Sequence, residues 1–113
     1  MVEVKEYLDR SGGSPFGEWF DSLDGTAAAK VRTATTRMEQ GNFSPKNVKG
    51  VGGGVFEYRI DFGPGYRIYF GKDGEQVVIL LGGGTKQHQQ NDIECAQSAW
   101  KDYKQRKQKE KEQ

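Results

Sequence analysis

A small set of side chains in this sequence is of the kind that acts on phosphates. Arg59 and Arg67 lie in two alternating stretches on either side of Gly63-Pro64-Gly65. A guanidinium stays charged and can bond two phosphate oxygens at once. Tyr69 lies two residues after Arg67. It offers a ring for stacking on a base or a hydroxyl for hydrogen bonding. Lys86 follows Gly82-Gly83-Gly84-Thr85, and His88 comes two residues later. As the one histidine, His88 alone has an unperturbed pKa near neutrality, which suits proton transfer. The same residues have plainer readings. The arginines can pair with Asp61 and Glu57 across a sheet. Lys86 can be a solvated loop cation, His88 a helix-start residue, and Tyr69 a packing residue.

Other chemistries are poorly provided for. Cys95 is the single cysteine, so no intramolecular disulfide forms. One cysteine and one histidine also make a Cys/His metal site implausible. The glycine run lacks the Gly-Lys-Ser/Thr ending of a phosphate loop and reads as a close turn or a mobile point.

These residues need elements to position them. Val2–Leu8 alternates and predicts a short strand. Ser14-Pro15 predicts a helix start, with Phe16, Trp19, Phe20 and Leu23 at helical spacing. A second helix is expected from about Thr26 to Gln40, burying Ala28, Val31, Thr35 and Met38 and stopping at Gly41. Asn42–Gly54 reads as loop. From Val55 the period becomes two, and three strands follow: Val55–Phe62, Tyr66–Phe70 and Val77–Leu81. Gly82–Gly84 is expected to end the third. A last helix from about Gln89 carries Ile93, Ala96, Trp100 and Tyr103 and frays into the charged end.

Turn length sets the expected register. A three-residue loop at Gly63–Gly65 pairs Phe62 with Tyr66, Arg59 with Tyr69, and Asp61 with Arg67. Pairing Lys72 with Glu75 sets Phe70 opposite Val77 and Ile68 opposite Ile79. The core face is then Phe56, Tyr58, Ile60, Phe62, Tyr66, Ile68, Phe70, Val77, Ile79 and Leu81. The other face carries Glu57, Arg59, Asp61, Arg67 and Tyr69 over Val78 and Leu80. The expected architecture is α+β, with helices covering one side of the sheet.

Composition bounds the rest. The 113 residues make one domain's worth of chain. The formal net charge of +1 hides an asymmetry. Residues 101–113 hold six basic and three acidic residues, a net +3, which leaves residues 1–100 at −2. The reading divides the chain into one domain over 1–103 and a charged tail over 104–113. No apolar run nears the roughly 18 residues that span a bilayer. The start shows no export signal, so a soluble cytoplasmic protein is expected.

Two stretches carry a resemblance. Gly54–Gly71 (GVFEYRIDFGPGYRIYFG) and Val77–Ile93 (VVILLGGGTKQHQQNDI) resemble the RelE/ParE superfamily of type II toxin–antitoxin toxins. The resemblance is to the addiction module killer protein branch, near HigB-like and phage-derived Gp49-like proteins. It implies a RelE-like β-α-α-β-β-β-α fold of the microbial RNase type. It implies a toxin that cleaves mRNA on the ribosome without metal or cofactor. The partners implied are mRNA, the ribosome and a cognate antitoxin, expected to be a helix-turn-helix DNA-binding protein. On that reading Arg59, Arg67, Lys86 and His88 are catalytic, and Tyr69, Lys101 and Lys104 contact RNA. The alternatives are a ParE-like inhibitor of DNA gyrase, which is not an enzyme, and an inactivated toxin kept as a binding module. Ile93 stands near where mRNA-cleaving relatives often carry a tyrosine or histidine for proton transfer.

Overall fold

A computed structural model describes residues 1–112. The elements run β1 (Glu3–Glu6), α1 (Pro15–Asp21), α2 (Gly25–Glu39), β2 (Val48–Gly52), β3 (Val55–Ile60), β4 (Tyr66–Lys72), β5 (Val77–Thr85), a 3-10 turn (Lys86–His88) and α3 (Gln89–Glu112). The expected α+β class holds, and the expected elements appear in their order with one further strand, β2, before the meander.

The helix starts form as their sequences dictate. Ser14 Oγ accepts a hydrogen bond from Gly17 N at 2.9 Å, and Pro15 fills the first helical position, where a missing N–H costs nothing. Asp24 caps α2 by accepting from Ala27 N at 2.8 Å. The buried stripe of α2 is Ala27, Val31, Ala34 and Met38. It is rotated slightly from the expected one, which leaves Ala28 and Thr35 at its margins.

The sheet has five strands in the order β1-β5-β4-β3-β2. The expected loop over Asn42–Gly54 contains β2, which pairs antiparallel with β3 through Val48–Tyr58 and Lys49–Glu57. Its polar and glycine residues suit a half-exposed edge strand, and no alternation marks it. β1 lies parallel to β5, with Val4 opposite Val78.

Both hairpins depart from the expected register. Ile60 pairs with Tyr66, so the β3–β4 loop is five residues long. Two extra loop residues preserve each side chain's face but slide the partners. Arg59 therefore faces Arg67, and Glu57 faces Tyr69. Phe62 is in the loop and exposed, not in the core. In the second hairpin Lys72 pairs with Val78 and Phe70 with Leu80. The odd shift swaps the faces of β5, so Val78 and Leu80 join Phe70, not Val77 and Ile79. A bulge between Tyr69 and Phe70 opposite Leu81 then restores parity.

Helices cover both faces, not one. On one side α1 and α2 pack Phe16, Val31, Ala34 and Met38 on Tyr58, Ile68, Phe70, Val78 and Leu80. On the other side α3 packs Ala96 and Trp100 on Val55, Tyr69, Ile79 and Leu81. This accounts for the continuous apolar run of β5. The glycines at 82–84 do not end β5; they lie within it. A Cβ at Gly83 would overlap the Trp19 indole of α1, and one at Gly84 would come 2.7 Å from Asp92 Cγ of α3. The run admits a helix closely on each face.

α3 is helical through Glu112 rather than frayed. Its second half is tied to the body by two carboxylates. Asp73 accepts from Tyr103 Oη at 2.5 Å and pairs with Lys107. Asp102 accepts from Tyr7 Oη at 2.7 Å and pairs with Arg106 at 2.7 Å and Arg10 at 3.2 Å. Lys107, then Tyr103, lowers the Asp73 pKa. The Tyr7 hydrogen bond, then the one from Arg10, lowers that of Asp102 against the effect of its partial burial. A carboxylate held below its unfolded value stabilises the fold above that value and stops doing so as pH falls through the folded value. Amide exchange over residues 100–112 is therefore expected to accelerate as pH drops below the ordinary 3.8, ahead of exchange in β4 and β5. Equal acceleration in helix and strands would show that these carboxylates do not hold the helix locally. Among the described residues no helix is long and apolar enough to cross a membrane.

Candidate functional site

The polar residues gather where the first turn of α3 lies over the sheet. Two rows cross the strands there. Arg59 pairs with Arg67, and Arg67 pairs with Gly84. The neighbouring row on the same face is Glu57, Tyr69 and Gly82. Two arginines directly opposite one another repel, so their placement needs a counterion.

Glu57 is that counterion. It is fully buried, with Oε1 3.7 Å from Arg67 Nε and 4.0 Å from Lys49 Nζ of β2. Gln89, at the start of α3, donates from Nε2 to Glu57 Oε2 at 2.7 Å. The carboxylate is thus held by three elements. The plain reading of an arginine paired with Glu57 holds for Arg67. Arg59 instead donates from Nη2 to Lys46 O at 3.3 Å, and its backbone is bonded both ways to Asn47. The segment before β2 therefore sets Arg59 at the sheet margin.

Arg67 and Lys86 meet at one carbonyl. Arg67 Nη1 donates to Gly65 O at 3.1 Å, and Lys86 N donates to the same oxygen at 3.0 Å. Gly65 has φ +80°, and a Cβ there would lie 3.1 Å from Arg67 Nη1 and 3.8 Å from Lys86 Cβ. Only glycine allows that left-handed turn and the close approach together. Arg67 is mostly buried, Arg59 half-buried and Lys86 exposed. The three cations form a graded set leading from the interior to solvent.

His88 is exposed at the end of the 3-10 turn. Four residues on, Asp92 is half-buried over Gly84. Burial raises the Asp92 pKa, and the His88 charge pulls it partly back. Tyr69 is fully buried, so it is not placed to stack on a base. Burial pushes its hydroxyl far above the ordinary range, and the Glu57 and Asp92 carboxylates add to the effect. It remains neutral and forms the floor of the site. Lys101 and Lys104 are elsewhere. They lie three to four turns along α3, about 18 Å or more from its start. Lys104 sits with Nζ 5.7 Å from the Trp100 ring centroid.

The structure thus brings Arg59, Arg67, Lys86 and His88 to one end of the sheet. It leaves Lys101 and Lys104 apart and buries Tyr69. Gln89 and Asp92 also belong to the cluster, yet no spacing in the sequence singles them out. Lys49 escapes notice because it is on a strand that reads as loop. The glycine at position 84 is the one signal that something must occupy the space of its missing side chain. Chemically, the arrangement can hold an anion between guanidinium and ammonium groups and exchange protons beside it.

The family described as phage derived protein Gp49-like matches residues 18–104, from α1 through most of α3. An uncharacterized protein of Haemophilus influenzae (strain ATCC 51907 / DSM 11121 / KW20 / Rd) is 42% identical over 82 residues, covering 72% of this chain and 81% of the relative. The chain belongs to the phage-derived Gp49-like family, a family of the toxin–antitoxin toxin type.

Proposed function

We propose that this protein is a type II toxin that cleaves mRNA on the translating ribosome, in the cytoplasm, and is silenced by a cognate antitoxin. The observation that carries the reading is the convergence of Arg59, Arg67, Lys86 and His88 at one end of the sheet. Cleavage of RNA can use its own 2′-hydroxyl as nucleophile on the adjacent phosphate. The enzyme must remove that proton, stabilise the charge that builds on the phosphorane oxygens and protonate the leaving 5′-oxygen. Arg59 and Lys86 reach the phosphate from the solvent side. Arg67 is fixed by Glu57 and Gly65 and backs them with a preorganised charge. His88 exchanges a proton. The cationic side chains supply the charge stabilisation, so the scheme is metal-independent.

The charge distribution supports a borrowed substrate. Residues 1–100 are net −2, too weakly charged to capture naked RNA by bulk electrostatics. A ribosome would present the message to a few aimed cations. Lys101 and Lys104 on α3 would then touch phosphates remote from the cut. The antitoxin, a helix-turn-helix DNA-binding protein in this reading, would cover the cationic end.

Induced expression is expected to stop translation and leave messages cut at discrete positions. Arg59→Gln should lower the cleavage rate about 100-fold or more while leaving the melting temperature nearly unchanged, because Arg59 has no buried counterion. Growth arrest with intact messages and trapped gyrase–DNA breaks would replace the nuclease reading with gyrase inhibition. Normal growth at high expression would point to an inactivated toxin.

A further inference from the structure

We propose that Asp92 and His88 form the acid–base pair of this site, Asp92 as the base and His88 as the acid; this rests on the RNA-cleavage reading above. Asp92 occupies the space that a side chain on Gly84 would fill, with Cγ 2.7 Å from where that Cβ would stand. Gly84 is the strand partner of Arg67. The carboxylate therefore sits in the row Arg59–Arg67–Gly84, over the strand position paired with Arg67.

The two carboxylates of the site are held differently, and the difference assigns their roles. Glu57 is fully buried and engaged by Arg67, Lys49 and Gln89. A carboxylate so occupied cannot accept a substrate proton without breaking the cluster. Asp92 is half-buried, and among the described residues it makes no hydrogen bond or ion pair to the sheet. The titratable groups it interacts with are His88 of the 3-10 turn and Tyr69 of β4, with Arg67 and Glu57 in the sheet rows beneath. Tyr69 stays neutral, and Arg67 is spent on Glu57 and Gly65 O. Burial raises the Asp92 pKa, which brings a carboxylate base closer to its working pH.

A first-turn acid can also serve only to favour the positive end of the helix. An exposed side chain does that equally well. It would need neither burial over the sheet nor a glycine beneath it.

In the step, the 2′-oxygen–phosphorus bond forms as the phosphorus–5′-oxygen bond breaks. Asp92 takes the 2′-hydroxyl proton, and protonated His88 gives one to the 5′-oxygen. The products are a 2′,3′-cyclic phosphate and a 5′-hydroxyl end. The reaction consumes no oxidant, metal or added nucleophile.

The test is single-turnover cleavage of a short message on programmed ribosomes, across pH, with wild-type protein and Asp92→Asn. The amide keeps the shape over Gly84, so thermal melting should match wild type. Should the variant melt below the assay temperature, Asp92→Ala, which only empties the space, carries the same measurement. The expected result is a rate lowered about 100-fold or more, and loss of the acid limb of the pH–rate profile. In wild type that limb should lie above the ordinary carboxylate pKa of about 4. Cleavage by Asp92→Asn at the wild-type rate would overturn the pair while leaving the nuclease reading intact. So would slow cleavage with the acid limb unchanged, since that would mark a purely structural carboxylate. Failure of wild-type protein to cleave at all would overturn both.

Discussion

Arg67→Ala is expected to lose stability as well as toxicity. The truncation leaves Glu57 fully buried, with Lys49 Nζ at 4.0 Å as its remaining cation and Gln89 as its hydrogen-bond donor. Removing one partner of a buried pair costs roughly 3–5 kcal/mol, because the other charge stays desolvated. The two remaining partners place the cost near the lower end, about 3 kcal/mol, or a fall of roughly 10 °C or more in melting temperature. Loss of toxicity in that variant would therefore say little about catalysis. The informative protein is the double variant Glu57→Gln/Arg67→Gln, in which both buried charges are replaced by neutral amides. It should melt close to wild type and remain non-toxic. Thermal melts and a growth assay read the two effects separately. A single Arg67→Ala protein melting with wild type would deny the ion pair its structural role. A folded, fully toxic double variant would remove Arg67 from the site.

The second large effect is steric. Gly83→Ala should destabilise by about 3 kcal/mol, at the upper end of overpacking costs. The new methyl would overlap the Trp19 indole. That ring has little room to yield, since its centroid is 5.8 Å from Phe16 and 6.4 Å from Tyr66. The adjacent Gly82→Ala is the internal control. A Cβ at Gly82 meets nothing within 4 Å, and its φ is not positive. It should be neutral or more stable by up to about 1 kcal/mol, through a less flexible unfolded chain. Denaturant unfolding distinguishes the neighbours. Combining Gly83→Ala with Trp19→Leu should recover part of the loss, a coupling that a double-mutant cycle measures. Equal effects at Gly82 and Gly83 would mean that helix approach does not explain this glycine run.

The net charge of +1 hides two placements of positive charge: a few cations aimed at one end of the sheet, and a lysine-rich helix end. Bulk charge describes neither. What matters at the site is that Glu57 balances Arg67 internally, which leaves Arg59 and Lys86 to present charge outward.

Local patterns in the sequence determined much of the fold. Ser14-Pro15 and Phe16–Leu23 specified α1, because a cap and an apolar stripe are short-range properties. The period-two stretches specified β3 and β4, and the family-like runs located the cationic cluster in the chain. Register was different. It depends on how many residues a loop spends, and that number is settled by how both faces of the sheet pack. The five-residue loop put Arg59 opposite Arg67, and the odd shift with its bulge turned β5 over. β2 was invisible because an edge strand with solvent on one side needs no alternation. The largest reversal came from α3. Once it covered the face expected to be open, Tyr69 went from a surface residue to a buried floor, and Glu57 became a caged counterion. Asp92 gained its place over Gly84 only because α3 folds back over the strand that precedes it. Residue type and local period can be read from the chain itself; which groups are desolvated together is decided only when the elements pack.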